Sequence, residues 1–216
     1  MRNKFTILTL LLVLILILTA CQPSDGIEEI SEEETSIVEV IVYEQTDYEY
    51  FLSVPSAEIS TPVMQGEDNE YWLRRNLDEE YDIYGTPFFD YRCEVREGRN
   101  LIIYGHASEK MELFGRLSAL LDERTALQEI ITLYINGQPI EYVVVSVYRQ
   151  PQDTELIHAQ IAFNGDSDYL LWANEIEGNS LVETGRTIAV TDTVLVLQTC
   201  IMDGSNDYLI VVAKKI

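Results

Sequence analysis

Basic residues are scarce in this chain. Its 216 residues include 14 Lys and Arg against 37 Asp and Glu, a formal net charge of −23. Binding a phosphate backbone or an anionic lipid surface normally needs clustered Lys and Arg. No basic stretch here is longer than two residues, as at Arg74-Arg75, so nucleic acid is excluded as a partner. Histidine is scarcer still, with two residues, and there are three cysteines, none in a Cys-x-x-Cys pair. Two distant histidines make no metal site and the acidic residues show no EF-hand spacing, so neither a metal nor any other cofactor is expected. What the chain does have is 47% hydrophobic residues, ordinary for a globular protein with a sizeable core.

The one long hydrophobic run lies at the N-terminus. Arg2 and Lys4 precede the uncharged TILTLLLVLILILTA, so residues 1–20 read as an export signal or a membrane anchor. Leu18-Thr19-Ala20-Cys21 resembles the lipobox of bacterial lipoproteins, which would make Cys21 a lipid-attachment site; an uncleaved signal-anchor is the alternative. Residues 21–36 are acidic and poor in large apolar side chains, as in a flexible spacer. Residues 37–216 would then form one domain facing outward on a membrane tether. With Cys21 assigned to the anchor, Cys93 and Cys200 are left, and in an exported chain they can pair as a disulfide.

Across the domain, short β-type runs alternate with turn signals: IVEVIVY, YFLSVP, GTPFFDY, NLIIYG, ITLYI, IEYVVVSVY, TIAV, VLVLQT and YLIVVA. No internal repeat is visible, and the spacing predicts a closed or nearly closed β-domain. Asn136-Gly137 predicts a tight hairpin, because both residues tolerate positive φ. Two helices are expected, at MELFGRLSALL (111–121) and at SDYLLWANEIEG, which ends on Gly178. In the second, Tyr169, Leu170, Trp172, Ala173 and Ile176 fall at helical spacing and read as core packing, with the wall of a groove as the alternative.

TDTVLVLQTC ends a strand on the thiol of Cys200. A cysteine nucleophile acts as thiolate and needs a partner that takes its proton. His106 follows the strand-like NLIIYG and so sits at another strand end, whereas His158 lies in a polar connection with no special turn chemistry. His106 is therefore the preferred partner, against the plainer reading of a loop histidine and a buried cysteine.

NLIIYGH followed by MELFGRL, and DTVLVLQTC followed by YLIVVAKK, resemble the class B sortases of Gram-positive bacteria. The stretches FLSVP, ISTPVMQGEDNEYWLRRNL, GTPFFDYR, DTELI and SLVETG agree, so the likeness spans roughly Tyr50 to Lys214. The resemblance implies a mainly β fold: an eight-stranded barrel with a few helices, one of them in the long connection before the seventh strand. It implies a cysteine transpeptidase that cleaves a sorting-signal peptide, typically of Asn-Pro type, through a thioacyl intermediate. The acyl group then passes to an amine of the cell wall or a pilin. By the same resemblance Cys200 is the nucleophile and His106 its partner, sharing one proton as an ion pair, with Thr199 in support. The expected location is the outer face of the cytoplasmic membrane of a Gram-positive bacterium.

One position departs from the pattern. The family places an arginine six residues before the Lys of the closing VVAK-like run, where it holds the substrate carbonyl or oxyanion. Counting back from Lys214 gives Tyr208, and no arginine follows Arg186. Tyr208 offers a neutral hydroxyl at that place, and Arg92, Arg149 and Arg186 are the candidates to reach in from elsewhere. A second departure is Ala107, where class B members often carry Asn. The alternatives to a working transpeptidase are a catalytically weakened sortase-fold lipoprotein serving as a surface binding or scaffolding domain, and a slow thiol hydrolase.

Overall fold

The structure is a computed structural model that describes residues 48–108 and 113–216. The N-terminal segment with Cys21, the acidic spacer and the run IVEVIVY lie outside the described residues. Nine strands follow: β1 (Tyr50–Val54), β2 (Ile59–Pro62), β3 (Met64–Gln65), β4 (Phe88–Phe89), β5 (Asn100–Tyr104), β6 (Ile130–Ile135), β7 (Gln138–Pro151), β8 (Val194–Cys200) and β9 (Asp207–Lys215). They make one sheet in the order β2-β1-β6-β7-β9-β8-β5-β4-β3. The two end members, β2 and β3, are consecutive in the chain and separated only by Val63, whose N–H bonds Tyr50 O on one side while Met64 N–H bonds Pro87 O on the other. Taken as one run, residues 59–65 pair with β1 and β4 at once, giving the expected eight-stranded barrel.

The central strands read as near-continuous apolar runs because both of their faces are covered. β8 lies between parallel β5 and antiparallel β9, and Val194 to Thr199 are all buried. β7 is long enough to pair with β6 at one end and β9 along the rest, with a bulge between Val144 and Ser146. The β6–β7 hairpin turns on Asn136 (φ 49) and Gly137 (φ 74), as the sequence predicts.

The helices differ from expectation in one place. The first region is a 3₁₀ segment, Phe114–Leu121, followed by a separate helix α1 (Glu123–Gln128) capped by Asp122, whose carboxylate accepts from Thr125 N–H at 2.9 Å. Residues 114–121 are therefore not the expected α-helix. A Cβ on Gly115 would lie 3.2 Å from Ala107 Cβ, so the segment presses closely on the loop after His106. Helix α2 (Asp166–Gly178) forms as expected, with Tyr169, Trp172, Ala173 and Ile176 buried against the barrel, whereas Leu170, one step round the helix from Tyr169, is exposed. TIAV (187–190) is not a strand. Ile188 is buried, its N–H bonds Glu177 Oε1 at 2.6 Å and Thr187 O accepts from Lys214 Nζ, so side chains replace ladder partners.

Candidate active site

Register brings the candidate residues together. β5 and β8 run parallel with Tyr104 opposite Gln198, and the ladder continues through Gly105 N–H to Gln198 O at 3.1 Å. His106 follows directly on this ladder and lines the same cavity as Cys200. On the other side of β8, antiparallel β9 places Tyr208 directly opposite Cys200, and β7 places Gln150 opposite Tyr208. Paired residues share a face, so Cys200 and Tyr208 sit side by side across β8 and β9, while His106 lies two residues past the end of β5. All three line one cavity of about 380 Å³, with Asn69, Leu73, Tyr104 and Leu156 among its other walls. Gly105 is required where it stands, because a Cβ there would be 2.5 Å from the Phe114 ring.

His106 is held by Leu73, whose carbonyl oxygen lies 2.9 Å from Nε2. A carbonyl only accepts, so Nε2 carries the hydrogen and Nδ1 is the free base in the neutral ring. Burial lowers the His106 pKa, and Arg74 adds to that against the Leu73 bond. Burial raises the Cys200 thiol, opposed by an N–H from Gln152 Nε2 at 3.7 Å from Sγ. Both shifts run towards the uncharged forms, the thiol upwards and the imidazole downwards. Alkylation of Cys200 by iodoacetamide is accordingly expected to keep rising as pH passes 9.0, the thiol's ordinary value, and not to level off near neutrality. A rate already flat at pH 7 would show a standing thiolate.

The other site expectations resolve unevenly. Tyr208 is half-buried beside Cys200 and its hydroxyl makes no hydrogen bond among the described residues, while burial raises its pKa and keeps it protonated. Thr199 borders the cavity, and its Oγ1 is buried with no hydrogen-bond partner among the described residues. None of the three candidate arginines reaches in. Arg92 is bound to Asp90, Arg149 to Asp203 and Asp207, and Arg186 to the carbonyls of Val144 and Leu127. The Cys93–Cys200 disulfide is not formed: both thiols are free. Cys93 is buried against Ile102 N–H at 3.3 Å and pushed up to about 11 by that burial. The aromatic face of α2 is core and not cavity wall; the wall on that side is Leu156, in a connection that Trp172 Nε1–H pins at Ile157 O (2.9 Å).

Sequence reasoning missed three participants. Gln152 follows a strand end with no distinguishing pattern. Gln198 was legible in principle, since it stands two residues before Cys200 on the same strand face. It borders the cavity and takes a hydrogen bond on Oε1 from His158 Nε2 at 2.5 Å, which is how the second histidine enters the site. His158 is fully buried and burial drops it to about 4, so it acts as a neutral donor.

The third is Asp90, fully buried behind the cavity, which accepts from Arg92 (2.8 Å), Tyr104 Oη (2.8 Å) and Asn69 Nδ2 (3.1 Å). Burial alone would raise its carboxyl, but those bonds and the Arg92 backbone N–H hold it at about 2. A folded-state pKa below the ordinary 3.8 means stability that is full above that value and is lost as pH falls through about 2. Asp90→Ala should cost about 2–3 kcal/mol at neutral pH by stranding three donors, and acid unfolding should begin at a pH closer to neutral than a carboxylate-free core would allow. Urea melts of wild type and variant at pH 7 and pH 3 check this; equal stabilities at pH 7 would count against the network.

Comparison with known proteins fits this arrangement. A family model described as the Sortase domain matches residues 52–216. Sortase B of Listeria monocytogenes is 27% identical over 161 residues, an alignment covering 73% of this chain and 63% of the relative, so the chain spans less than two thirds of that protein. The structure of Clostridium perfringens sortase B superposes with a TM-score of 0.73 at 29% identity, covering 79% of this chain and 94% of that one. A sortase B complexed with triglycine superposes with a TM-score of 0.71 at 25% identity, covering 79% and 80%. With barrel, register and residue match in agreement, the chain belongs to the sortase family, and to its class B branch.

Proposed function

We propose that this domain is a cysteine transpeptidase that cuts a sorting-signal peptide of an exported protein and passes the new acyl end to an amine. The observation that carries the reading is that His106, Cys200 and Tyr208 line one cavity, with Cys200 and Tyr208 paired across β8 and β9. Substrate seated in the cavity displaces water, and the Cys200 proton moves to His106 Nδ1 as Sγ bonds the scissile carbonyl carbon. The carbonyl π pair moves to oxygen. When it returns, the C–N bond breaks and His106 gives the proton to the leaving amine. An acceptor amine then attacks the thioester carbon and its proton goes to His106; the C–S bond breaks, and the Cys200 thiolate takes the proton back from His106. Leu73 O keeps the Nε2–H bond throughout, so only Nδ1 exchanges protons. The triglycine bound to a relative supports an unhindered primary amine as acceptor. The Asn-Pro form of the signal, a cell-wall or pilin amine, and a tether at Cys21 or an uncleaved anchor on the outer face of the cytoplasmic membrane follow from the sequence resemblance.

One observation favours a second reading. With Tyr208 at the arginine position and Arg92, Arg149 and Arg186 bound elsewhere, a weakened domain that binds sorting peptides without turning them over has a physical basis. The domain from Gln22 onward, incubated with a panel of Asn-Pro and other sorting peptides plus triglycine, separates the readings. The expected result is cleavage, a peptidyl adduct on Cys200 by mass spectrometry, and product carrying triglycine. Cleavage without triglycine in the product means hydrolysis, and peptide binding with neither adduct nor cleavage sinks the enzyme reading.

A further inference from the structure

The gap left by the missing arginine coincides with an amide already touching the nucleophile. Gln152 Nε2 donates to Cys200 Sγ at 3.7 Å. Its backbone is fixed there: Gln152 N–H bonds Asn206 O at 3.1 Å, carrying the β7–β9 ladder one step past Pro151 and Asp207. Asn206 belongs in turn to a β8–β9 loop that Arg149 clamps through Asp203, Ser205 and Asp207 at 2.8–3.2 Å. The loop therefore joins Cys200 to Tyr208 and anchors the Gln152 backbone while its amide reaches Cys200.

We infer that Gln152 is a catalytic residue of this sortase, its amide N–H stabilising the oxyanion of each tetrahedral intermediate in company with the Tyr208 hydroxyl. The inference rests on the transpeptidase reading above. As Sγ bonds the carbonyl carbon, the negative charge leaves sulfur and arrives on the carbonyl oxygen, an atom attached to the same carbon. A donor on the thiolate before attack is thus within a small torsional change of the oxyanion after it. Tyr208 stands opposite Cys200 with its hydroxyl unengaged, so a second donor meets the same space from the neighbouring strand. No proton is transferred by either group. Two neutral donors thereby take over a task that elsewhere falls to one cation, at lower strength per bond.

The test is kinetic. Gln152→Met keeps the side chain's length while removing its donors. It is expected to lower kcat about 10²-fold, the usual scale for one lost oxyanion donor, with KM held within about threefold. The same substitution is then made in a Tyr208→Arg background. If the amide acts on the oxyanion, the added cation covers its absence and the cost of Gln152→Met falls to about tenfold or less. A cost that is equal in both backgrounds, or a rise in KM at unchanged kcat, would overturn the inference and leave Gln152 as packing. If wild type turns over no peptide at all, the transpeptidase reading fails first and this inference falls with it.

Discussion

Cys200→Ala abolishes the peptidyl adduct and all amine transfer, and His106→Ala lowers kcat/KM by about 10³-fold. These are the expected results if the cavity lined by His106, Cys200 and Tyr208 is the reacting centre. The first removes the atom to which the acyl group bonds, so nothing in the cavity can replace it. The second leaves the thiol in place but removes the base that takes its proton and returns it to the leaving amine, a contribution typically worth 10²–10⁴. Because the Cys200 thiol is raised by burial, the His106 variant should regain rate as pH rises and thiolate forms without help. Loss of the acid needed by the leaving amine keeps that recovery partial. Wild type and Cys200→Ala that are equally inert towards the peptide panel would end the catalytic account. A His106→Ala variant as fast as wild type would move the base elsewhere. His158 is a poor candidate, since its Nε2 is committed to Gln198 and burial keeps the ring neutral.

Tyr208→Arg is expected to raise kcat/KM about tenfold. A hydrogen bond from a charged donor is worth about 1.5–3 kcal/mol against 0.5–1.5 for a neutral one, and a difference near 1.4 kcal/mol is a factor of ten. Position is already right, because the β8–β9 register sets residue 208 opposite Cys200. Competition for the new guanidinium is limited, since Asp203 and Asp207 are occupied by Arg149. A gain of this size would mean that the cleft is intact and only the strength of its donors is lowered. A loss would mean that the hydroxyl does something a cation cannot, and would favour a domain shaped for binding.

Much of this was legible because β-structure writes its pattern locally. β5, β6, β8 and β9 each appear as a β-branched run, and Asn136-Gly137 marks the one turn whose chemistry is unambiguous. Cys200 and His106 were legible as strand-end residues, though only the family resemblance raised them above a buried thiol and a loop histidine. What the sequence hid depends on partners far along the chain. The fate of Arg92, Arg149 and Arg186 is decided by carboxylates and carbonyls that no spacing reveals. Gln152 lies in a Pro-Gln-Asp turn that reads as solvent-facing, and only the Asn206 contact turns it onto the thiol. TIAV misleads in the other direction: its β-branched side chains fit a strand, but Glu177 and Lys214 satisfy its backbone instead. The free Cys93 shows why two available thiols need not make a bridge, since its sulfur is buried against β5.

The single residue between β2 and β3 has a consequence for how copies of this domain meet at high concentration. A sheet with two open margins offers rows of unpaired N–H and C=O groups on which another copy can build. Here one short run occupies both margins, so neighbouring molecules find no template while it stays in place. The run is held unevenly, by four register pairs to β1 and by only two to β4. Heat or tension would open the seam beside Met64 and Gln65 first, and that is where self-association of damaged copies would begin.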